Sequence, residues 1–270
     1  MPTPITFAAV GDVHGEHRAM VRLVSGIARA RGVELTAVLQ VGDFEPHRHE
    51  GDLESMAAPQ KYRHVGDFPR FHRGEEAFPW PLYFIGGNHE PYAFLDETPG
   101  GAALIPGCHY VGRVGAVELE GLRIIGVSGI HHPERSRGPR PPGSAFRTVS
   151  NKELTYFTEA ELSQALDLGP ADILMLHSWP AGLVTHEELS AATGRRFFGE
   201  DVGNAPARAL VELLRPKLLL LGHMHVPLRR TLRWPDGGET QVIALAHVGA
   251  GRESVALIVR DEDGGLRELR

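Results

Sequence analysis

The chain has 270 residues, 42% of them hydrophobic, and a formal net charge of −6. That length can bury a sizeable core, and the acidic balance excludes a global pull toward nucleic acid or anionic membrane, leaving only local basic patches to consider. Cys108 is the one cysteine, which excludes intramolecular disulfides and cysteine-rich zinc sites, so a metal would be held by His, Asp, Asn or Glu.

The opening stretch MPTPITFAAVGD has no basic n-region and meets an acid at Asp12, so it does not read as a signal peptide. No apolar run approaches the roughly 20 residues of a membrane span. The expectation is a cytoplasmic protein with no membrane partner. Patterning predicts strands over 5–10, 36–41, 82–86, 109–112, 115–119, 122–128, 172–176 and 217–221, with others near 226–233, 240–246 and 254–260. Helices are predicted over 16–31, 158–167 and 204–214. In the first, Met20, Leu23, Val24 and Ile27 recur at helical spacing; the last is entered through Asn204 and Pro206 and followed by Pro216. Early strand–helix–strand alternation implies parallel pairing, whereas the later strands, with the turn WPDGGET (234–240) between two of them, read as antiparallel hairpins. A mixed-sheet α/β sandwich in one domain over 1–270 fits both. Two stretches stand outside this rhythm: a long insertion over 45–81, and a Pro/Gly/Arg-rich surface loop over 131–150.

Five apolar runs stop on polar residues: AAVGDVHGE (8–16), VLQVGDFEPH (38–47), LYFIGGNHEP (82–91), DILMLHSWP (172–180) and LLLLGHMHV (218–226). In an α/β sheet, ligands bind beyond the carboxyl ends of the strands. Asp12/His14 and His223/His225 are i, i+2 pairs, which in extended backbone point to one side. With Asp43, Asn88 and His177 the set holds two carboxylates, one amide oxygen and four imidazoles. That exceeds one tetrahedral zinc and suits two divalent ions sharing a ligand, for which Asp43 has two oxygens. Nitrogen and oxygen ligands without thiolate favour Mn, Fe or Zn over Ca or Mg. Such a pair generates hydroxide near neutral pH and clamps an in-line displacement at phosphorus. His89, beside a ligand, is placed to protonate the leaving alkoxide; the other reading is a histidine that orients a ligand.

These five motifs, in this order, resemble the calcineurin-like metallophosphoesterase superfamily. The resemblance implies a four-layer α/β/β/α sandwich with two mixed β-sheets. It also implies that Asp12, His14, Asp43 and His225 bind one metal, and Asp43, Asn88, His177 and His223 the other. The stretches VGDFEPHRHEGDLESMAAPQKYRH, LYFIGGNHE, GLRIIGVSGI and LHSWP are similar to the catalytic domain of the lariat debranching enzymes, which hydrolyse a 2′,5′-phosphodiester; the 45–81 insertion is a hallmark of that branch. Asp12 stands where that branch commonly carries Cys, Ser178 where it usually carries Asp, and its additional C-terminal region has no counterpart in the sequence.

The functional expectation is a dinuclear phosphodiesterase acting on RNA, DNA or nucleotides. Two cationic clusters are candidate substrate contacts: Lys61, Tyr62, Arg63 and His64 in the insertion, and Arg135, Arg137, Arg140 and Arg147 in the loop. His47, His49 and His72 read as surface residues. A phosphomonoesterase or protein phosphatase is the alternative, and GDFEPHRH lacks the Asp-Arg-Gly continuation usual in protein phosphatases. A non-catalytic scaffold is the third reading; such scaffolds tend to lose His89 or a ligand, and every one is present.

Overall fold

The computed structural model describes residues 5–194 and 202–269. The first half runs β1 (Ile5–Val10), α1 (His17–Arg31), β2 (Ala37–Gln40), α2 (Phe68–His72), β3 (Leu82–Phe84), α3 (Tyr92–Leu95), β4 (Ala102–Ile105), β5 (Cys108–Tyr110), β6 (Val114–Leu119) and β7 (Leu122–Val127). The second runs α4 (Glu159–Asp167), β8 (Ile173–Leu176), α5 (His186–Thr193), α6 (Ala205–Leu214), β9 (Leu218–Leu221), β10 (Leu228–Arg233), β11 (Glu239–Ala244), β12 (Val255–Arg260) and β13 (Leu266–Glu268).

The strands form a seven-stranded sheet in the order β13-β12-β1-β2-β3-β5-β4 and a six-stranded sheet in the order β10-β11-β9-β8-β7-β6. Both are mixed. β1, β2, β3 and β5 are parallel neighbours in the first, as are β7, β8, β9 and β11 in the second. Strands buried on both faces read as continuous apolar runs, and LLLL over β9 is wholly buried. Three apolar clusters follow from that layering. Phe7, Leu39, Ile85, Ile124, Met175 and Leu220 meet between the sheets. Met20, Val24 and Ile27 of α1 cover the outer face of the larger sheet, and α4 and α6 cover that of the smaller through Leu162, Leu210 and Val211. The result is the four-layer sandwich.

The predicted helices and the β10–β11 hairpin are present. The short strands β4 and β13 and the helices α2, α3 and α5 lack a predicted counterpart. α5 is only eight residues and weakly apolar, but it carries a full capping box, Thr185 with Glu188. The 45–81 insertion folds into two 3₁₀ turns (Glu50–Ser55 and Gln60–Tyr62) and α2. It is held against the 131–155 region, where the Asn151 side chain donates to the carbonyls of Glu54 and Met56 at 2.6 and 3.1 Å.

Candidate metal centre and active site

Five strand ends deliver the site. β1 is followed by Asp12 and His14, β2 by Asp43, β3 by Asn88 and His89, β8 by His177, and β9 by His223 and His225. The apolar runs stop on glycine because the carboxylates need the space. A Cβ on Gly87 would lie 2.1 Å from Asp43 Oδ1, and one on Gly222 2.5 Å from Asp12 Oδ1.

Extended alternation does not explain the convergence. His14 (φ 48°), Asp43 (φ 53°), His223 (φ 71°) and His225 (φ 56°) are left-handed, as is Glu45 (φ 58°). Non-glycine residues avoid this region at a cost of about 1 kcal/mol or more each, and they cluster where function over-determines the backbone. The ends of β1, β2 and β9 turn sharply in this way, and neighbouring loops hold the turns. Glu90, fully buried, accepts from the backbone N–H groups of Phe44, Glu45 and Gly87 at 2.8–3.0 Å. The Gln40 amide donates to the carbonyls of Gly11 and Gly42, and the Trp179 indole donates to Gly222 O at 2.7 Å.

The side chains meet closely. Nε2 of His225 lies 3.0 Å from Asp12 Oδ2 and 3.1 Å from Nε2 of His14. Nε2 of His177 lies 3.2 Å from Asn88 Oδ1 and 3.5 Å from Asp43 Oδ2. His14 Nε2 stands 3.9 and 4.0 Å from Asp12 and Asp43, and the His223 ring faces His177 with centroids 5.0 Å apart. Three groupings bring their donor atoms within 4.8 Å of one another: Asp12/His14/His225, Asp12/Asp43/His177 and His14/Asp43/His89. Donors about 2.1 Å from one ion are about 3.0 Å apart at right angles and about 3.4 Å apart in a tetrahedron, so these spacings fit ligands of shared ions.

The electrostatics fit too. Asp12 and Asp43 are 0% and 2% exposed, and among the described residues no lysine or arginine pairs with either. Despite burial, His177 above all holds Asp43 well below the usual carboxylate range. Burial alone would depress His14 and His177. Instead the Glu45 hydrogen bond and the Asp43 charge hold His14 up at about 10, and Asp43 with Asp12 holds His177 up at about 9. Burial, reinforced by His177, pushes His223 down to about 4. Two buried carboxylates thus draw in positive charge that only imidazoles answer.

Glu45 is the functional residue that sequence reasoning missed. It is 1% exposed, accepts from His14 Nδ1 at 2.9 Å, and lies 3.4 Å from His89 Nδ1. One carboxylate therefore lies against Nδ1 of both a candidate ligand and the candidate acid, with Nε2 of His14 turned to Asp12 and Asp43. Its signal was its place two residues after Asp43, hidden at the start of an irregular insertion. Neighbouring His47 is not a surface residue as expected; it is fully buried, because the insertion folds back over the Asp43 loop. His49 and His72 are exposed.

The outer residues divide. Tyr62 is 54% exposed with Lys61 Nζ 4.7 Å from its ring centre. Arg63 donates to Ala58 O at 2.8 Å, and His64 packs against Gly15. In the loop, Arg137 is exposed, Arg135 reaches Glu153 at 3.7 Å and Arg147 pairs with Glu54 at 2.9 Å. Arg140 is not a surface cation. It is locked between Asp96 and Glu161 at 2.8 and 3.1 Å. Asp96 also binds Arg113, whose guanidinium lies 3.4 Å over the Tyr92 ring, and the Tyr92 hydroxyl donates to Gly87 O at 2.6 Å. The loop is thereby tied to the Asn88 turn.

Parallel strand ends carrying this buried donor set at the mouth of a two-sheet sandwich define a metallophosphoesterase. The calcineurin-like phosphoesterase model matches residues 5–227, and the chain belongs to that family. It is 32% identical over 247 residues to the lariat debranching enzyme of Entamoeba histolytica, covering 90% of this chain and 68% of that protein. To the lariat debranching enzyme of Homo sapiens it is 32% identical over 231 residues, covering 81% of this chain and 42% of that protein. To that of Arabidopsis thaliana it is 26% identical over 273 residues, covering 97% of this chain and 65% of the relative. One crystal structure superposes over 99% of both chains with a TM-score of 0.60 at 13% identity, a likeness of fold alone. Among the described residues no helix is long and apolar enough to cross a membrane.

Proposed function

We propose that the protein is a dinuclear metal-dependent phosphodiesterase of nucleic acid, acting on a 2′,5′-linkage. The carrying observation is the buried Asp12–Asp43 pair ringed by imidazoles at donor–donor spacings of 3.0–4.0 Å. In this reading Asp12, His14 and His225 would hold one divalent ion and Asn88, His177 and His223 the other, with the two oxygens of Asp43 available to both. Mn, Fe and Zn suit these donors. When bound, such a pair supplies a nucleophile at neutral pH and neutralises charge on the phosphoryl oxygens. The chain's own residues supply the rest. Glu45 holds the His89 ring by Nδ1, which leaves Nε2 to give a proton to the departing oxygen. The His89 backbone N–H donates to Asp43 Oδ1 at 2.8 Å, fixing the acid relative to a shared ligand. Exposed Lys61, Tyr62, Arg135 and Arg137 are the candidates for gripping phosphates and bases beyond the scissile bond.

The likeness to lariat debranching enzymes, together with the insertion over 45–81, supports the 2′,5′-linkage over other diesters. The test is hydrolysis by metal-defined protein of 2′,5′- and 3′,5′-linked oligonucleotides, cyclic nucleotides, bis-p-nitrophenyl phosphate and phosphomonoesters. The expected order places the 2′,5′-diester first, with activity lost to chelator and restored by Mn²⁺. Faster turnover of monoesters than of any diester would replace this reading with the phosphatase one.

A further inference from the structure

The imidazoles of the metal centre continue past the candidate ligands. Ring centroids step 5.1 Å from His89 to His14, 5.1 Å from His14 to His225 and 4.9 Å from His225 to His247. His89 is the candidate acid and His14 and His225 are candidate ligands, but no step of the hydrolysis uses His247. It follows β11, and its segment is tied to the first motif, because the next residue, Val248, donates its N–H to Asp12 O at 2.8 Å. The ring is seated against the backbone beyond it: a Cβ on Gly249 would lie 2.8 Å from His247 Cε1.

His225 and His247 also line one cleft of about 420 Å³, a size within the range of small-molecule sites, about 300–1,000 Å³. Its other walls are mostly apolar: Ala192 of α5, Met224, Val226 and Pro227. Among the described residues the lining has no lysine or arginine, and its one carboxylate, Glu253, is exposed and forms no ion pair. A phosphate placed there would meet Glu253 and no guanidinium or ammonium. A flat neutral ring meets no such penalty. It can stack on an imidazole, contact the thioether and aliphatic walls, and give an N–H to Glu253, which only accepts.

We infer that this cleft holds the base of the nucleotide that keeps the phosphate when the diester is cut, with His247 as its stacking platform. The inference rests on the nucleic-acid phosphodiesterase reading above and adds where one of the two nucleosides sits. His89 protonates the departing oxygen, so the departing nucleoside belongs at its end of the row of imidazoles. The cleft lies at the other end, against His225, and takes the nucleoside that stays with phosphorus.

The experiment uses p-nitrophenyl esters of nucleoside 5′- and 2′-phosphates, each beside the ester of the same sugar phosphate without a base. The leaving group is constant and needs no proton from His89. In the better series the parent should show a kcat/KM ratio of about tenfold or more in favour of the base. His247→Ala should lower that ratio about fivefold or more, through KM, and His247→Phe, which keeps a flat ring, should hold it within about twofold. Damage passed through His225 to the metals would instead slow both esters alike and leave the ratio where it was. A parent ratio near one in both series, or a ratio that His247→Ala leaves unmoved, overturns the inference. Titration calorimetry on the Mn²⁺-loaded protein separates that result from failure of the diesterase reading. If neither ester is hydrolysed, yet adenosine 5′-phosphate binds about tenfold tighter than ribose 5-phosphate and His247→Ala removes the difference, the cleft stands and the diesterase reading falls. Equal binding of the two overturns the cleft as well.

Discussion

The donor cluster and the 131–155 wall beside it use charge in opposite ways. In the cluster, Asp12 and Asp43 are buried with no cationic side chain but imidazoles, on backbone turned left-handed at His14, Asp43, His223 and His225. In the wall, Arg140 is held by both Asp96 and Glu161 and Arg147 pairs with Glu54, while Arg135, 3.7 Å from Glu153, and Arg137 stay exposed. The cluster answers its carboxylates only with imidazoles, which are also groups that can hold a divalent ion. Around Arg140 the wall balances its own charge and becomes a support. Basic composition alone therefore does not mark a substrate surface, because arginines that share buried carboxylates have no valence left for phosphate.

Four substitutions test that division. His89→Ala removes a proton donor from the cluster and should lower kcat on alkoxide-leaving diesters by about 10²–10⁴-fold. The loss should shrink on bis-p-nitrophenyl phosphate, whose leaving group needs no proton, and an equal loss on both would assign His89 to binding instead. Asp96→Ala strands the buried guanidiniums of Arg113 and Arg140 and should cost about 3–5 kcal/mol in denaturant unfolding; a cost under about 1 kcal/mol would mean the wall is not held this way. Glu45→Gln weakens the hold on both His14 and His89. Metal affinity by titration calorimetry and kcat should each fall about 10–100-fold, and a fall in only one would show that Glu45 serves one histidine. Arg147→Ala breaks an exposed pair, 73% and 54% open at its two ends, and should change stability by less than about 1 kcal/mol. If it instead raises KM for oligonucleotides, Arg147 returns to the substrate surface.

Much of this was legible because it rests on short-range rules. Continuous apolar runs ending on Gly-Asp, Gly-Asn or Gly-His announced buried parallel strands with polar ends, and all seven donors lie at one mouth. What misled was the local geometry. The i, i+2 pairs suggested extended backbone, whereas His14, His223 and His225 are left-handed, a conformation imposed by the loops packed against them. His47 looked like a surface histidine because its neighbours Arg48 and His49 are polar, yet the insertion folds it inside. Arg140 looked like its neighbours Arg135 and Arg137, and what separates it from them is its hold on Asp96, 44 residues away in sequence, and on Glu161, 21 residues away.

The sequence by itself determined most of the strands, the order of the motifs and which side chains are candidate donors, because burial pattern and ligand chemistry belong to each residue and its near neighbours. Tertiary structure alone decided that Glu45 would face both His14 and His89 and that Asp96 would bind Arg113 and Arg140. Those outcomes depend on which distant segments are brought within hydrogen-bonding range. Hydrogen bonds and ion pairs act over a few ångströms of space, and no sequence spacing encodes that distance once the chain has folded across two sheets.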